Sequence, residues 1–362
     1  METVLKAVRR LWLAVVAGAV MTAACAGPPP PADLAPDEIE TTLFLIGDAG
    51  EPDPRGIGAP LDSMAAQAAE APERSVILYL GDNVYPDGIP REGAAEWADA
   101  RRRLAAQVLA VPPGARGIFV PGNHDWASSG PFGLYAIRLQ EEMIAQLAEG
   151  RDVVQLPSNG CPGPSVVDTG RLRLVLLDTQ WWLHDYIVHD ADSDCTDDPA
   201  VVTAELRDAV RPRFEGQLVI VAAHHPLMSG GKHGGYCGIT GPYNRFGGQN
   251  QDIISTANRI MRDSLESAFV EDPPFAYVAG HDHNLQVLRG GRVAGHLLVS
   301  GAGSHSRVTC AVRLRESRYV SQNRSGFMRV DILRGGGVLL SVFRYKRDGT
   351  GGRGHTQWLE PR

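Results

Sequence analysis

Val76-Ile77-Leu78-Tyr79-Leu80 runs directly into Gly81-Asp82-Asn83-Val84-Tyr85. An unbroken apolar run of this length fits a strand covered on both faces. The glycine lets the chain turn tightly and lets a ligand approach the backbone. A carboxylate, an amide and a phenol then follow, and all three are metal-ligand chemistry. The pattern recurs in a fixed order along the chain. Gly47-Asp48-Ala49-Gly50, Gly122-Asn123-His124-Asp125, His224-His225-Pro226 and Gly280-His281-Asp282-His283-Asn284 each close an apolar run. Any one of these words is a weak signal; together they supply the ligands of two neighbouring cations.

Outward from these words the chain alternates strands and helices. Strands are predicted over 42–47, 76–80, 118–121, 172–177, 218–223, 275–279 and 296–300. Two more, 328–333 and 338–345, flank Gly335-Gly336-Gly337 and read as a hairpin. Helices are predicted over 58–71, 91–110, 134–149, 200–210 and 250–270. The alternation implies an α/β domain of parallel strands joined by crossover helices, with the hairpin making the sheet mixed. In such folds the chemistry sits at the carboxyl ends of strands, where all five words fall. One domain is expected over 41–348, preceded by a proline-rich linker over 27–40 and followed by a loose tail over 349–362.

The chain has 362 residues, 43% hydrophobic and 21% charged, with a formal net charge of −7. That is ordinary globular composition without the basic footprint of a nucleic-acid binder. The N-terminus reads as an export signal over 1–26. Lys6, Arg9 and Arg10 precede an apolar run from Leu11 to Met21, and small residues follow at Ala23-Ala24-Cys25-Ala26. Cleavage before Cys25 leaves a lipidated cysteine and a membrane tether, although Thr22 fits the lipobox poorly; cleavage after Ala26 releases a secreted protein. Removing Cys25 from the pool leaves Cys161, Cys195, Cys237 and Cys310, an even number suited to an oxidising compartment. The favoured pairing is Cys161–Cys195 with Cys237–Cys310.

Residue by residue, Asp48 can bind one cation, and Asp82 can bridge two through its separate oxygens. Asn123 offers a neutral carbonyl oxygen. His281 and His283 are spaced to reach neighbouring ions, Tyr85 lies three residues beyond Asp82, and His224 or His225 adds another imidazole. This set resembles the calcineurin-like metallophosphoesterases, and within them the purple acid phosphatases of the small tartrate-resistant type. The wider superfamily opens with Asp-x-His, whereas position 50 is Gly here. The purple acid phosphatases also lack that histidine and use a tyrosine as in Gly81-Asp82-Asn83-Val84-Tyr85. Gly280-His281-Asp282-His283-Asn284-Leu285-Gln286 matches the same family. The resemblance spans roughly 41–305 and implies an α/β/β/α sandwich of two mixed sheets flanked by helices. Ala49 departs from it, standing where the family often has tryptophan.

By the resemblance, Asp48, Tyr85 and His283 hold one ion, Asn123, His224 and His281 the second, and Asp82 bridges. The His-x-Pro pattern favours His224 over His225. The first ion would be Fe(III), matched to a hard phenolate; the second would be Fe(II), Zn(II) or Mn(II). The implied reaction is hydrolysis of phosphate monoesters at acidic pH by metal-bound hydroxide, with His124 and His233 protonating the leaving alcohol or gripping phosphate. His233 lies on a glycine-rich loop, Ser229 to Gly235. Two other readings stay open: a metallophosphodiesterase with a divalent pair, and a non-catalytic surface binding protein on the same fold. Asp125 is expected to orient His124 or cap the segment after it, Asp282 to face away from the ions, and Asp178 to cap a helix or turn. His305 is expected at the surface and residues 184–198 as an acidic solvated loop.

Overall fold

The computed structural model describes residues 34–52, 58–185, 195–196, 198–237 and 249–360. The export-signal reading and half of the linker (27–33) lie outside these residues, as does most of the acidic loop.

Strands β1 (Ile39–Ile46), β2 (Ser75–Leu80), β3 (Arg116–Val120) and β4 (Asp152–Gln155) pair in parallel. Antiparallel β12 (Ser325–Leu333), β13 (Val338–Tyr345) and β14 (Gly351–Trp358) extend the same sheet beyond β1. Its order is β14-β13-β12-β1-β2-β3-β4. The second sheet holds β5 (Ser165–Thr169), β6 (Leu172–Leu176), β7 (Leu218–Ala222), β8 (Ala276–Ala279), β9 (Leu285–Arg289), β10 (His296–Ser300) and β11 (Ser317–Ser321). Its order is β11-β9-β10-β8-β7-β6-β5, parallel from β6 through β7 and β8 to β10.

Strand periodicity explains the layers. Along β1 and β2, Leu43, Leu45, Val76, Leu78 and Leu80 face the second sheet and pack on Leu174, Leu176, Ile220, Ala222 and Val278. The alternate residues Phe44, Ile46, Ile77 and Tyr79 face outward, under α1 (Ala59–Ala69), α2 (Trp97–Leu109) and α3 (Gly133–Leu147). On the far side, Val175, Val219, Val221 and Tyr277 meet α5 (Pro199–Ala209) and α6 (Thr256–Ala268), with the short α4 (Gln180–Leu183) nearby. The result is the expected α/β/β/α sandwich. No helix among the described residues is long and apolar enough to cross a membrane.

Both expected disulfides form, Cys161–Cys195 with Cα atoms 5.2 Å apart and Cys237–Cys310 with 6.0 Å. Several boundaries differ from expectation: the helices predicted over 91–110 and 250–270 begin only at Trp97 and Thr256. β1 begins at Ile39, inside the residues read as linker. Most of the residues read as a loose tail form β14, an edge strand paired to β13. With glycines at 349, 351, 352 and 354, that segment has no apolar alternation to announce a strand.

Candidate metal centre

The words follow the carboxyl ends of β1, β2, β3, β7 and β8, and the two sheets present them to one another. Asp48, Asp82 and His281 take left-handed backbone conformations, with φ of 58°, 56° and 66°. Non-glycine residues are uncommon there, and such strain persists only where surrounding structure imposes it. The glycines are required by close approach. A β-carbon at Gly81 would collide with the His224 ring, and one at Gly122 with the backbone N and carboxylate of Asp82. At Gly280 it would stand 2.7 Å from Asp48 Oδ2.

Two sets of donor atoms converge, sharing Asp82. In the first, Tyr85 Oη lies 3.0 Å from Asp48 Oδ1, 3.0 Å from Asp82 Oδ2 and 3.2 Å from His283 Nε2. His283 Nε2 also lies 3.2 Å from Asp48 Oδ1. In the second, Asn123 Oδ1 lies 3.0 Å from His224 Nε2 and 3.1 Å from His281 Nδ1. The two ring nitrogens are 3.2 Å apart, and Asp82 Oδ1 is 3.4 Å from His224 Nε2. Asp82 thus turns one oxygen to each set. Two ligands about 2.1 Å from one ion at right angles stand about 3 Å apart, so these are the edge lengths of a coordination shell.

Hydrogen bonds to backbone carbonyls aim the ring nitrogens inward. His224 Nδ1 donates to Leu80 O at 2.7 Å, which turns Nε2 to its neighbours. Burial, then the neighbouring histidines, push the His281 pKa well below its ordinary value, so its ring carries at most one proton. His281 Nε2 is buried with no hydrogen-bond partner among the described residues. In the first set His283 Nδ1 donates to Arg307 O at 2.9 Å, which again aims Nε2 inward. The phenol's proton serves a single acceptor. Burial, then the charges of Asp48 and Asp82, push the Tyr85 pKa well above its usual value. Burial works against ionising Asp82, but His224 and His124 outweigh it and hold its carboxyl below the usual range. The donor set fits a pair of metal ions.

The other expected residues sit at the rim. His124 Nδ1 meets Pro86 O, and its Nε2 lies 3.9 Å from Asp82 Oδ2. His233 Nδ1 is held by Asp252 Oδ1 at 2.8 Å, and its ring lies tilted against His281, with centroids 4.1 Å apart. A separate cavity of about 370 Å³ opens at the amino ends of β6, β7 and β8, beside Arg171 and Phe275, away from the converged donors.

No protein-family model and no curated protein matches the chain. Solved structures do. GAP50, the anchor in the inner membrane complex of Plasmodium, superposes with a TM-score of 0.57 at 15% identity, over 90% of each chain. Purple acid phosphatase PPD1 from yellow lupin seeds gives a TM-score of 0.57 at 15% identity, over 87% of this chain and 53% of the lupin enzyme. This chain therefore spans about half the lupin enzyme's length. The fold is that of the metallophosphoesterases.

Within this metallophosphoesterase fold, His225 lies beside the second set, with one ring nitrogen within 4.8 Å of ring nitrogens of His224 and His281. Its Nδ1 pairs with Thr179 Oγ1 at 2.9 Å, and its Nε2 is buried without a partner among the described residues. Asp282 faces away from both donor sets and ties the His233 loop down, accepting from Ser229 Oγ and from the His233 N–H. Asp178 accepts the Gln180 N–H at the start of α4, and also Trp126 Nε1. Asp125 differs from expectation. It does not orient His124; it accepts the N–H groups of Asn83, Val84 and Gly122, stitching the second word to the third. Arg307, Glu51 and Asp252 also frame the site. Nothing near them in sequence marks them, because their partners lie far along the chain.

Proposed function

We propose that the chain is a binuclear-metal hydrolase of phosphate monoesters, acid-phosphatase-like, as its resemblance to the purple acid phosphatases suggests. One observation carries the reading: donor atoms from both sheets form two adjoining sets at 3.0–3.4 Å spacing around a shared carboxylate, Asp82. In this reading Asp48, Tyr85 and His283 hold an Fe(III), Asn123, His224 and His281 hold Fe(II), Zn(II) or Mn(II), and Asp82 bridges. Such a pair supplies Lewis acidity toward phosphoryl oxygens and acidifies solvent enough to attack phosphorus. His124 and His233 lie on the open side. With Nδ1 of each ring engaged by Pro86 O or Asp252, Nε2 is the nitrogen left to bind phosphate or protonate the leaving alcohol. Asp252 holds the His233 ring in place for that transfer. Two disulfides support an exported protein, lipid-tethered through Cys25 or released after Ala26.

The likeness to GAP50, an anchor by description, favours a second reading, a binding protein on the same fold. The purified protein distinguishes them by metal content, visible spectrum and turnover of an aryl phosphate monoester beside a diester. The proposal expects two metals per chain, a coloured protein and preference for the monoester, with Asp82→Asn abolishing turnover and loosening both ions. Faster diester cleavage by a colourless protein points to a phosphodiesterase with a divalent pair. Metal-loaded protein that turns over neither ester is the binding protein.

A further inference from the structure

The donors that converge are buried, while a rim of partly exposed nitrogen side chains surrounds them. The side chains of His124, His233 and Arg307 are 26%, 16% and 30% exposed. Of these, only Arg307 is charged at every physiological pH. Its guanidinium carbon sits 4.1 Å from the centroid of the Tyr85 ring, on the residue whose oxygen centres the first donor set. It is also held from several sides. Nε donates to Glu51 Oε2 at 2.5 Å, and Ser306 Oγ donates to the same oxygen at 3.1 Å. The Glu51 N–H donates to Ser304 Oγ at 3.0 Å, which ties the carboxylate's own backbone to this loop. The Arg307 carbonyl accepts His283 Nδ1. The terminal amino groups of the guanidinium have no partner among the described residues.

We propose that Arg307 grips a phosphoryl oxygen of the substrate, with Glu51 as the clamp that holds it over Tyr85. The inference rests on the phosphoesterase reading above. A planar guanidinium with Nε occupied still offers the N–H groups of both terminal nitrogens, and paired N–H donors match the oxygens of a phosphoryl group. The clamp makes that fork available without fresh ordering of a long side chain when substrate arrives. The competing role is purely structural: a bracket that packs Tyr85 and orients His283. That role predicts loss of metal when Arg307 is cut back. The substrate role predicts loss of phosphate affinity with metal retained.

The test uses the metal-loaded full chain and orthophosphate as probe. Calorimetric titration of wild type, R307A, R307K and E51Q is run beside metal analysis and the visible spectrum. We expect R307A to bind phosphate about 10- to 100-fold more weakly at unchanged metal content. R307K should recover part of that affinity and keep the wild-type spectrum, which guards against a variant that merely misfolds. E51Q should weaken phosphate binding about threefold or more by freeing the fork. Equal phosphate affinity in wild type and R307A overturns the inference and leaves the hydrolase reading intact. Loss of metal from both R307A and R307K assigns the residue to the bracket role and also overturns it. Wild-type protein that holds two metals yet binds no phosphate refutes the hydrolase reading itself, and the inference with it.

Discussion

Replacing Tyr85 with phenylalanine removes a single oxygen from the point where Asp48, Asp82 and His283 meet. Without metal, that oxygen carries a proton, because burial and then Asp48 and Asp82 hold the phenol's pKa well above its ordinary value. The proton makes one charge-assisted hydrogen bond in a place that water does not reach; Tyr85 is 2% exposed. Losing such a bond costs about 1.5–3 kcal/mol, and the two carboxylates are then left facing each other without the donor between them. Metal-free Tyr85→Phe should therefore unfold about 2–3 kcal/mol more easily in denaturant titrations. With metal the consequence is different. An Fe(III) bound through the phenolate must displace that proton, so this ligand alone makes apparent affinity rise about tenfold per pH unit. The variant should lose one proton from that slope, together with the visible band of a tyrosinate–iron pair. Competition against a chelator at several pH values, read with absorption spectra, measures both. An unchanged band or an unchanged proton slope in Tyr85→Phe would refute the reasoning, since no other phenol lies in the donor set.

Asp178 supplies a pH test separate from metal. It is buried, and burial pushes its pKa from 3.8 up to about 7, against the Trp126 and Gln180 N–H groups that donate to it. A folded value above the unfolded one gives stability that is fully present below about pH 4 and lost as pH rises through 7, on the order of 3–4 kcal/mol across the window. Asp178→Asn carries a constant offset from its imperfect amide, but the pH slope should flatten; equal slopes in denaturation midpoints for variant and wild type would contradict this. His233→Asn should lower kcat by about 100-fold for alkyl phosphates, whose leaving group needs a proton, and far less for aryl phosphates. Asp252→Asn should shift the same ratio in the same direction, and equal losses on both ester types would remove His233 from the role of acid.

The strands that carry the words are legible because they are buried on both faces and so read as unbroken apolar runs. Leu43 to Ile46, Val76 to Leu80 and Val219 to Ala222 are all buried. β5 and β11, Ser-Val-Val-Asp-Thr and Ser-Arg-Tyr-Val-Ser, are edge strands in the second sheet, half exposed and short, and their pattern falls below what a window can resolve. β9 begins directly after Asn284, so the turn chemistry of the fifth word hides the strand that follows. The donors on the words themselves were readable from residue type and order. The residues that hold those donors were not. Leu80 O fixes His224 across 144 positions, and Arg307 O fixes His283 from a loop whose sequence resembles any other. A hydrogen bond accepted by a backbone carbonyl leaves no mark on the identity of the residue that provides it.

The division of the donors between the sheets bears on why the strain at Asp48, Asp82 and His281 is tolerated. Asp48, Asp82, Tyr85 and Asn123 follow strands of the first sheet, while His224, His281 and His283 follow strands of the second. Neither sheet can complete either donor set alone. The sets close only when the interior of Leu43, Leu78, Leu174, Ile220 and Val278 packs and fixes the separation of the layers. Cross-sheet hydrogen bonds then set the fine register: Gly47 N to Ser300 O at 2.7 Å, Ser300 Oγ to Leu45 O at 2.7 Å, and His281 N to Asp48 Oδ2 at 2.8 Å. The last of these joins a strained residue of one sheet to a strained residue of the other. Each left-handed turn costs about 1–3 kcal/mol in isolation. Here the turns are held by burial on both sides and by glycines that admit the neighbouring chain. The geometry of the donor sets is therefore a property of the packed sandwich, and the donors would need little rearrangement to close on a metal ion.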